Sequence, residues 1–322
     1  MSAQVRELPV PEGLDGERID AALARLTGLS RSKVAALIDA GHVWIDGQVP
    51  AKSARVMHGS LLRVDIPVEP VAAPPAAQPD RSAVDLAAAG PQAVALYVDD
   101  DLIALDKPVG MAAHASPGWT GPTVTAWLAG QGYDVAEAGA AEREGIVHRL
   151  DVGTSGVMVV ARTPMAYAAL KEQFRERSVE KIYHAVVQGH PDPSSGTIDA
   201  PIDRHPTADY RFAVVTGGKP SVTHYDTLEA FRYASLLQIH LETGRTHQIR
   251  VHMSAIRHPC AGDTAYGADP TLAARLGLAR QWLHAVRLEV THPRTMRRLE
   301  FSSPYPADLQ HGLELLREWT NG

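Results

Sequence analysis

The sequence predicts an α+β fold, with a large domain around a mostly antiparallel sheet and a small ααβ domain ahead of it. Segments with strand patterns outnumber helical segments after residue 92, and they do not alternate strictly with helices. The chain of 322 residues is also too long to form a single small domain around one hydrophobic core. We therefore expect an N-terminal extension at residues 1–16, the small domain at 17–67, a linker at 68–91 and the large domain at 92–318.

Two short helices are predicted to begin the small domain. Ser30 can cap the second helix, which Gly41 is expected to end. Arg31 and Lys33 fall on the side of this helix that faces away from the core. The apolar positions that recur at helical spacing in the two segments are Ile19, Leu23, Leu26, Val34, Leu37 and Ile38.

Two strands complete the predicted small domain, and a change of composition ends it. Residues 42–45 and 61–66 have strand patterns, and Asp46-Gly47 after the first is a typical hairpin turn. Residues 68–91 are rich in Ala, Pro and Gln and contain few large apolar side chains. Such a segment cannot bury enough surface to fold, so we expect an extended linker.

The large domain is predicted to consist mainly of strands. Helical periodicity is clear at residues 165–177 and at 245–256, where Ile249, Met253 and Ile256 share an apolar face. The predicted strands are residues 95–98, 102–105, 156–161, 180–188, 222–229, 235–242, 282–291 and 296–301.

Composition excludes several classes of protein. A hydrophobic content of 45% and a charged content of 21% are typical of soluble globular proteins rather than disordered ones. Because the sequence has neither a membrane-spanning apolar run nor an N-terminal targeting pattern, we expect a cytoplasmic protein. The single cysteine, Cys260, forms no intrachain disulfide and is expected to be a small buried thiol rather than a nucleophile.

The net charge of −6 is not the basic balance usual for a nucleic-acid-binding protein. A local basic surface can nevertheless exist on a protein whose overall charge is negative.

The segment His148-Arg149-Leu150-Asp151 places a carboxylate in a turn before a buried strand. Gly153 and Gly156 narrow this turn, and the neighbouring Arg149 favours the ionised carboxylate. Asp151 is therefore a candidate nucleophile. The alternative is a structural aspartate that caps the turn and pairs with Arg149.

A second polar cluster lies where a predicted strand gives way to a helix, at residues 243–252. Helix N-termini attract anions, and arginines strengthen that attraction. Because Ile249 faces the core, we expect Arg250 to point into a cleft and to pair with a carboxylate such as Asp151. A solvated helix face is the alternative for any single arginine. The polar residues of this cluster are Arg245, His247, Gln248, Arg250 and His252.

No metal or cofactor is predicted. His247 and His252 are five residues apart, whereas two metal ligands on one helix face need a spacing of three or four. The sequence also lacks the glycine-rich motifs that bind nucleotides.

Two further segments line candidate sites. Residues 180–186 alternate like a half-buried strand, so Tyr183 is either an ordinary sheet-face aromatic or a ring that stacks on a base displaced from RNA. Residues 106–114, which begin Asp106-Lys107-Pro108 and end at His114, form a strand end and a tight turn. Loops of this sort line sites or simply connect strands.

With these segments in this order, the chain resembles the RluA family of pseudouridine synthases, and its layout is similar to the RluD-type members. The front unit resembles an S4 RNA-binding domain through Ser30-Arg31-Ser32-Lys33, Ile38, Gly41, Val43 and Asp46-Gly47. The segments that carry the family resemblance are Asp106-Lys107-Pro108 to His114, His148 to Gly156, Lys181-Ile182-Tyr183 and Thr243 to His252.

The resemblance implies roles for individual residues. Asp151 matches the essential aspartate, Tyr183 the tyrosine that stacks on the target base, and Arg250 the arginine paired with the aspartate. Arg149 matches the arginine that enters the RNA and helps to displace the uridine. Further RNA contacts are expected from Arg245 and His247 at the helix start, and from Arg31 and Lys33 in the S4 unit.

The implied activity is isomerisation of uridine, in which the C1'–N1 bond breaks and C5 bonds to C1'. The implied partner is RNA, most specifically 23S rRNA or a large-subunit assembly particle, bound by a monomer without a cofactor. Two other hypotheses remain at this point. One is an S4-anchored assembly factor with a vestigial isomerase site; the other is a glycosidase-like hydrolase, which needs a second carboxylate near Asp151.

Overall fold

The computed structural model describes residues 3–10, 14–27, 31–51, 54–67, 92–116, 119–138, 144–206 and 208–321. The chain divides into two compact units, Met1–Val84 and Asp85–Gly322. The linker predicted at residues 68–91 lies outside the described residues. No helix within the described ranges is long and apolar enough to cross a bilayer.

The first unit packs two helices against a three-stranded antiparallel sheet. The helices are α1 (Ile19–Thr27) and α2 (Arg31–Asp39). The strands are β1 (Ala3–Pro9), β2 (Val43–Ile45) and β3 (Leu61–Pro67), in the order β1-β3-β2. The predicted inward positions of both helices are buried, apart from Leu26, which is only partly buried. Asp46 and Gly47 have φ values of +48° and +83°, as a type I′ turn requires.

Strand β1 lies in the segment for which the sequence predicts only an extension. It pairs with the whole length of β3, from Ala3 opposite Pro67 to Pro9 opposite Leu61. Val10 and Leu14 follow it into the core of the unit. Periodicity does not reveal this strand because β1 is an edge strand whose hydrogen-bond partner lies more than fifty residues away in the sequence.

The described part of the second unit is built on a nine-stranded sheet in the order β4-β5-β6-β13-β7-β12-β11-β8, with β14 paired to β13. Only the β6–β13 pair is parallel, so the predicted α+β class with a mostly antiparallel sheet is confirmed. Strands β9 and β10 form a separate pair. The strands are β4 (Val94–Val98), β5 (Leu102–Lys107), β6 (Ser155–Ala161), β7 (Glu180–Gln188), β8 (Ser195–Asp199), β9 (Ile202–His205), β10 (Ala208–Val214), β11 (Val222–Ala230), β12 (Ala234–Leu241), β13 (Leu283–Thr291) and β14 (Arg298–Ser302).

The helices of this unit pack against the sheet or close its ends. They are α3 (Val124–Gly130), α4 (Pro164–Glu176), α5 (Gln248–Ala255), α6 (Pro270–Arg275) and α7 (Ala307–Asn321). The predicted helices at residues 165–177 and 245–256 correspond to α4 and α5. Helix α5 begins three residues later than predicted because His247 has a left-handed backbone, with φ of +58°. Helices α3, α6 and α7 and strands β8 to β10 are not predicted by the sequence pattern.

Gly156 fixes where strand β6 meets its parallel neighbour. Its φ is +117°, and a Cβ at this position would lie 2.2 Å from the carbonyl oxygen of Ala285 in β13. Only glycine allows this approach. The loop that carries Asp151 is therefore held at the junction of β6 and β13, in the middle of the sheet.

Candidate active site

Asp151 lies in the tight turn that precedes β6. Its carbonyl oxygen accepts a hydrogen bond from the backbone N–H of Thr154 at 3.0 Å, and Gly110 N–H binds the next carbonyl, of Val152, at 2.8 Å. Leu150 anchors the turn in the core, while the Asp151 side chain keeps 16% of its surface exposed. The carboxylate consequently faces a narrow cavity of about 80 Å³.

That cavity brings together six of the eight sequence-predicted site residues. The two that it does not include, Arg31 and Lys33, belong to the first unit, and their side chains lie outside the described part of the structure. The six predicted residues that line the cavity are Arg149, Asp151, Tyr183, Arg245, His247 and Arg250.

Arg250 is the cation that faces Asp151, as predicted. Its Nη1 lies 3.4 Å from Asp151 Oδ2. A second carboxylate holds the guanidinium more tightly: Nε and Nη2 donate to the two oxygens of Asp263 at 2.6 and 2.9 Å. This two-pronged pairing leaves one edge of the guanidinium for Asp151.

The energetics of this arrangement depend on burial. Burial alone would lower the pKa of Arg250, but the hydrogen bonds and charge of Asp263, with the charge of Asp151, raise that pKa above its usual value. Arg250 is 9% exposed and Asp263 is 3% exposed. An arginine between two carboxylates in such surroundings is a fixed positive charge, placed before substrate arrives.

Tyr266 and His247 complete the surroundings of Asp151. The Arg250 guanidinium carbon lies 4.7 Å from the centroid of the Tyr266 ring. The Tyr266 hydroxyl accepts the backbone N–H of Phe212 and lies 2.7 Å from His247 Nδ1. His247 Nε2 is 3.9 Å from Asp151 Oδ2. Burial lowers the pKa of His247, although the charge of Asp151 opposes that shift.

Tyr183 projects from β7 into the cavity and is otherwise part of the hydrophobic core. Burial raises the pKa of its phenol, and the charge of Asp151 raises it further. The ring is therefore a neutral, largely apolar surface beside the carboxylate. This environment suits stacking better than proton abstraction by a phenolate.

Lys107, in the segment that begins Asp106-Lys107-Pro108, is a fully buried amine. Its Nζ donates to the carbonyl oxygens of Pro108 and Met111, both at 2.9 Å. Burial lowers the pKa of Lys107 to about 7, against the opposing effect of the Asp151 charge. The lysine therefore holds together its own loop at the end of β5, and it lies within electrostatic reach of Asp151.

Gln248 holds the strand-to-helix junction in place. Its side-chain oxygen accepts from Thr243 Oγ1 at 2.7 Å and from the Arg245 N–H at 3.0 Å. Its side-chain nitrogen donates to Val222 O and Thr223 Oγ1. The sharp junction is thereby fixed by one buried amide, which sets the direction of Arg250 in the first turn of the helix.

Arg149 and Arg245 form the rim of the cavity, and both are exposed. The structural alternative for Asp151, an ion pair with Arg149, is not present among the described residues, where Arg250 and the imidazole of His247 are the basic side chains beside Asp151. His148 instead points inward. Its Nε2 accepts the backbone N–H of Val159, and burial lowers its pKa to about 3.

Asp263 and Tyr266 are the site residues that sequence reasoning missed. Asp263 follows Gly262, whose φ is +83° and whose Cβ, if present, would lie 2.0 Å from the carbonyl oxygen of Arg280. The sequence feature that could have pointed to Asp263 is a carboxylate next to a glycine in an otherwise apolar stretch. Nothing in that spacing connects it with Arg250. Cys260, in the same stretch, is buried as predicted.

The described residues contain no group of three or more histidine, cysteine or acidic side chains arranged to hold a metal ion. The chemistry available in the cavity comes from a carboxylate, a fixed guanidinium, an aromatic ring and rim arginines.

Comparison with known proteins identifies this combination. Residues 101–255 match the family described as RNA pseudouridylate synthase, and residues 17–55 match the S4 domain. An uncharacterized RNA pseudouridine synthase of Mycobacterium bovis is 58% identical over 97% of this chain and 98% of its own length. The chain belongs to the RluA family of RNA pseudouridine synthases. It is therefore an isomerase that carries an S4 domain at its N-terminal side, as the sequence predicted.

This RluA-family synthase is also similar to a second curated protein and to a solved structure. Ribosomal large subunit pseudouridine synthase D of Pseudomonas aeruginosa is 40% identical over 97% of this chain and 96% of its own length. Among solved structures, human RNA pseudouridylate synthase domain containing 4 has a TM-score of 0.55 and 27% identity, and covers 70% of this chain and 93% of its own.

Proposed function

We propose that this synthase isomerises specific uridines of large-subunit ribosomal RNA, and that Asp151 is its reacting carboxylate. The observation that carries the proposal is the buried pair of Arg250 with Asp263, which presents a fixed positive charge to Asp151 at the bottom of the cavity. The choice of RNA is supported by full-length similarity to relatives named ribosomal large subunit pseudouridine synthase D.

The reaction moves one bond and one proton. The C1'–N1 bond of uridine breaks, the base turns over, C5 bonds to C1', and the C5 proton leaves while N1 gains one. Asp151 begins this sequence by attacking C1', by attacking C6, or by removing the C2' proton to give a glycal. In each of these routes the reacting group is a carboxylate that must be ionised and in place.

Arg250 has an electrostatic role in this proposal. Its guanidinium is oriented before substrate binds, so stabilising charge at Asp151 requires no rearrangement during the reaction. Because Asp263 shares the guanidinium, Arg250 stays in position when the charge on Asp151 changes.

Tyr183 and Arg149 act on the base and the strand. The neutral Tyr183 ring offers a stacking surface for uracil at the cavity wall, and Arg149 at the rim is placed to enter the space that the uridine leaves. Displacing a base from a helix costs a few kcal/mol, which stacking and this contact offset. A water molecule, rather than the neutral Tyr183 phenol, is the better acceptor for the final C5 proton.

The hydrolase alternative needs a second carboxylate available as an acid or base. Asp263 is the nearby candidate, but its side chain is only 2% exposed and both of its oxygens are engaged by Arg250. It is a partner of the arginine rather than a free catalytic acid.

Tritium release tests the proposal. Ribosomal RNA labelled at uridine C5 should lose tritium in the presence of the wild-type chain, and Asp151→Asn should abolish the release while RNA affinity stays within about threefold, since the amide conserves shape and removes only the reacting charge. Retained turnover by Asp151→Asn would refute the role of Asp151. Wild-type protein that binds RNA without releasing tritium would instead favour the assembly-factor hypothesis.

Mapping pseudouridine in ribosomal RNA from cells with and without the gene tests the substrate. The expected result is the loss of one or more sites in the large-subunit RNA. Loss of sites only in other RNAs would overturn the assignment to ribosomal RNA while leaving the isomerase activity in place.

A further inference from the structure

A wide groove continues from the catalytic cavity along the surface of the second unit. It has a volume of about 720 Å³ and shares Arg149, Tyr183 and Arg245 with the cavity. Its far wall is formed by the C-terminal half of α4 and by the start of β7. An RNA strand whose uridine occupies the cavity would therefore continue into this groove.

The net charge of the residues that line the groove is opposite in sign to the net charge of the chain. Its acidic lining residues are Glu172 and Glu242, so six cations and two anions give a local charge of +4, whereas the chain carries −6. Such a contrast marks a surface built for an anionic partner. The six basic residues that line the groove are Arg149, Lys171, Arg175, Arg177, Lys181 and Arg245.

Three of these cations, Lys171, Arg175 and Arg177, lie in the C-terminal half of α4 or directly at its end. Arg177 caps the helix with a left-handed backbone, φ of +60°, which turns the chain directly into β7. Lys171 and Arg175 lie four residues apart on α4 and are therefore on one face of the helix. Both are exposed, and positive side chains in the last turns of a helix complement its dipole.

The anions of the groove are held by its cations. Glu172 pairs with Arg175. Glu242 accepts from Arg177 at 3.2 Å and from His224 Nε2 at 2.8 Å, and its backbone carbonyl accepts from Lys181 Nζ at 3.4 Å. Neither carboxylate thus presents a free negative charge to an incoming anion.

An aromatic surface lies among the charges. Phe174 lines the groove and stacks on the inward-pointing His148, with ring centroids 4.7 Å apart. Grooves that combine a basic track with aromatic side chains are typical of proteins that bind single-stranded nucleic acid.

We propose that this groove binds the phosphodiester backbone of single-stranded nucleotides that flank the displaced uridine, with Lys171, Arg175, Arg177 and Lys181 as phosphate contacts. This inference rests on the proposed function, because it assumes that the cavity receives a uridine from RNA. It adds to the S4 unit a second RNA-binding surface, on the catalytic unit itself.

The first test uses Lys171→Gln with Arg175→Gln in the full-length chain. The probe is a fluorescein-labelled single-stranded RNA of about 12 nucleotides containing uridine, within the usual site size of such grooves. Loss of two phosphate contacts should reduce the salt slope of log K by about 1.4. The ratio of wild-type to variant affinity should therefore shrink by about sevenfold between 50 and 200 mM KCl.

The matched control is Arg232→Gln with Arg297→Gln, which removes two exposed arginines that do not line the groove. We expect the salt slope of this control variant to match that of wild type within error. An equal change of slope in both variants, or no change in the groove variant, would overturn the proposal.

The second test has the opposite sign, so that misfolding cannot imitate it. Glu172→Gln frees Arg175 and raises the local charge from +4 to +5, and we expect tighter binding of the same RNA. Unchanged or weaker binding by a variant that melts at the wild-type temperature would contradict the groove as a phosphate site.

Failure of this inference is distinguishable from failure of the proposed function. Wild-type chain that releases tritium from uridine-labelled RNA, with groove variants whose RNA affinity and salt slope are unchanged, would refute the groove alone. Absence of tritium release from the wild type would refute the proposed function, whatever the groove variants do.

Discussion

Arg250 and Arg149 lie on the same cavity, and their surroundings are opposite. Arg250 is buried, donates two hydrogen bonds to Asp263 and packs against the ring of Tyr266, so its position is set by the protein. Arg149 is exposed at the rim. A guanidinium fixed in a poorly hydrated site stabilises charge at one point, whereas an exposed one retains the conformational freedom to follow a partner. Burial, more than residue type, separates the arginine that we propose for catalysis from the one that we propose for RNA binding.

The strongest way to break this comparison is Arg250→Lys. A lysine keeps the charge but cannot donate to both Asp263 oxygens and face Asp151 together, because its ammonium is a single point. We expect kcat to fall by about 100-fold or more, the order seen when one preorganised electrostatic donor is removed, with little change in KM. Single-turnover kinetics measure this, and a melting curve checks folding. A variant with near-wild-type kcat would show that position matters less than charge.

Asp263→Asn sharpens the same comparison, since Asp263 touches the arginine and not the cavity. The amide removes the charge that orients Arg250, and we expect kcat to fall by about 10-fold to 100-fold with unchanged RNA affinity. Asp101→Asn is the matched control, because Asp101 is also a buried carboxylate with a two-pronged arginine partner, Arg294. Equal kinetic losses in both variants would reduce Asp263 to a structural role.

Arg149→Gln should affect binding rather than chemistry. With an exposed arginine removed from the rim, we expect the KM for RNA to rise by about tenfold, the equivalent of roughly 1.4 kcal/mol, and kcat to change less. A substrate with the target uridine already in a single strand should reduce the difference, because no base then needs displacing. If kcat falls and KM stays constant, the distinction between the two arginines fails.

Some residues of the site could be predicted from the sequence, and others could not. The Asp151 turn and the α5 start are contiguous segments, so their residues could be placed in the site from the sequence itself. Strand β6 was predicted because it is an apolar run, and β7 was predicted because its residues alternate like those of a half-buried strand. Asp263 and Tyr266 were missed because their importance comes from contacts with Arg250 and His247, which depend on how a loop folds back on a helix.

The four groove cations that we propose as phosphate contacts were not predicted from the sequence either, for a different reason. Lys171 and Arg175 belong to the polar face of a helix, where charges are ordinary. They line a groove only because, in the folded chain, the end of α4 faces the loop that follows β12. This loop brings Arg245 and Glu242 to the same groove. Strand β1 illustrates the general point, since its identity as a strand depends on pairing with β3.

Arg31→Ala with Lys33→Ala tests the contribution of the first unit, where α2 begins at Arg31. We expect RNA affinity to fall several-fold and the salt slope to decrease by about 1.4, as for two single-strand phosphate contacts, with kcat at saturating RNA unchanged. Arg25→Ala with Arg63→Ala is the control, because these arginines pair with acidic neighbours inside the unit. An unchanged slope in the test variant would place the RNA-binding face of this unit elsewhere.

The smallest expected effect is a pH dependence of RNA affinity from Lys181. Burial lowers the pKa of this lysine to about 8, with Arg177 adding to the shift and Glu242 opposing it. His148 and His240 also lie within its electrostatic reach. Lys181 is charged below this pKa, so a phosphate contact present at pH 7 is lost as the pH rises to 9.

We expect the wild-type affinity for single-stranded RNA to fall by less than about tenfold over that interval, the change that accompanies a pKa rise of one unit on binding. Lys181→Arg stays charged and should show a flatter profile, while Lys181→Met should bind weakly and equally at both pH values. These two variants distinguish titration of Lys181 from titration of the RNA itself, because titration of the RNA affects the binding of all three proteins. Parallel profiles in the three proteins would assign the pH dependence to the RNA and remove Lys181 from the phosphate contacts of the groove.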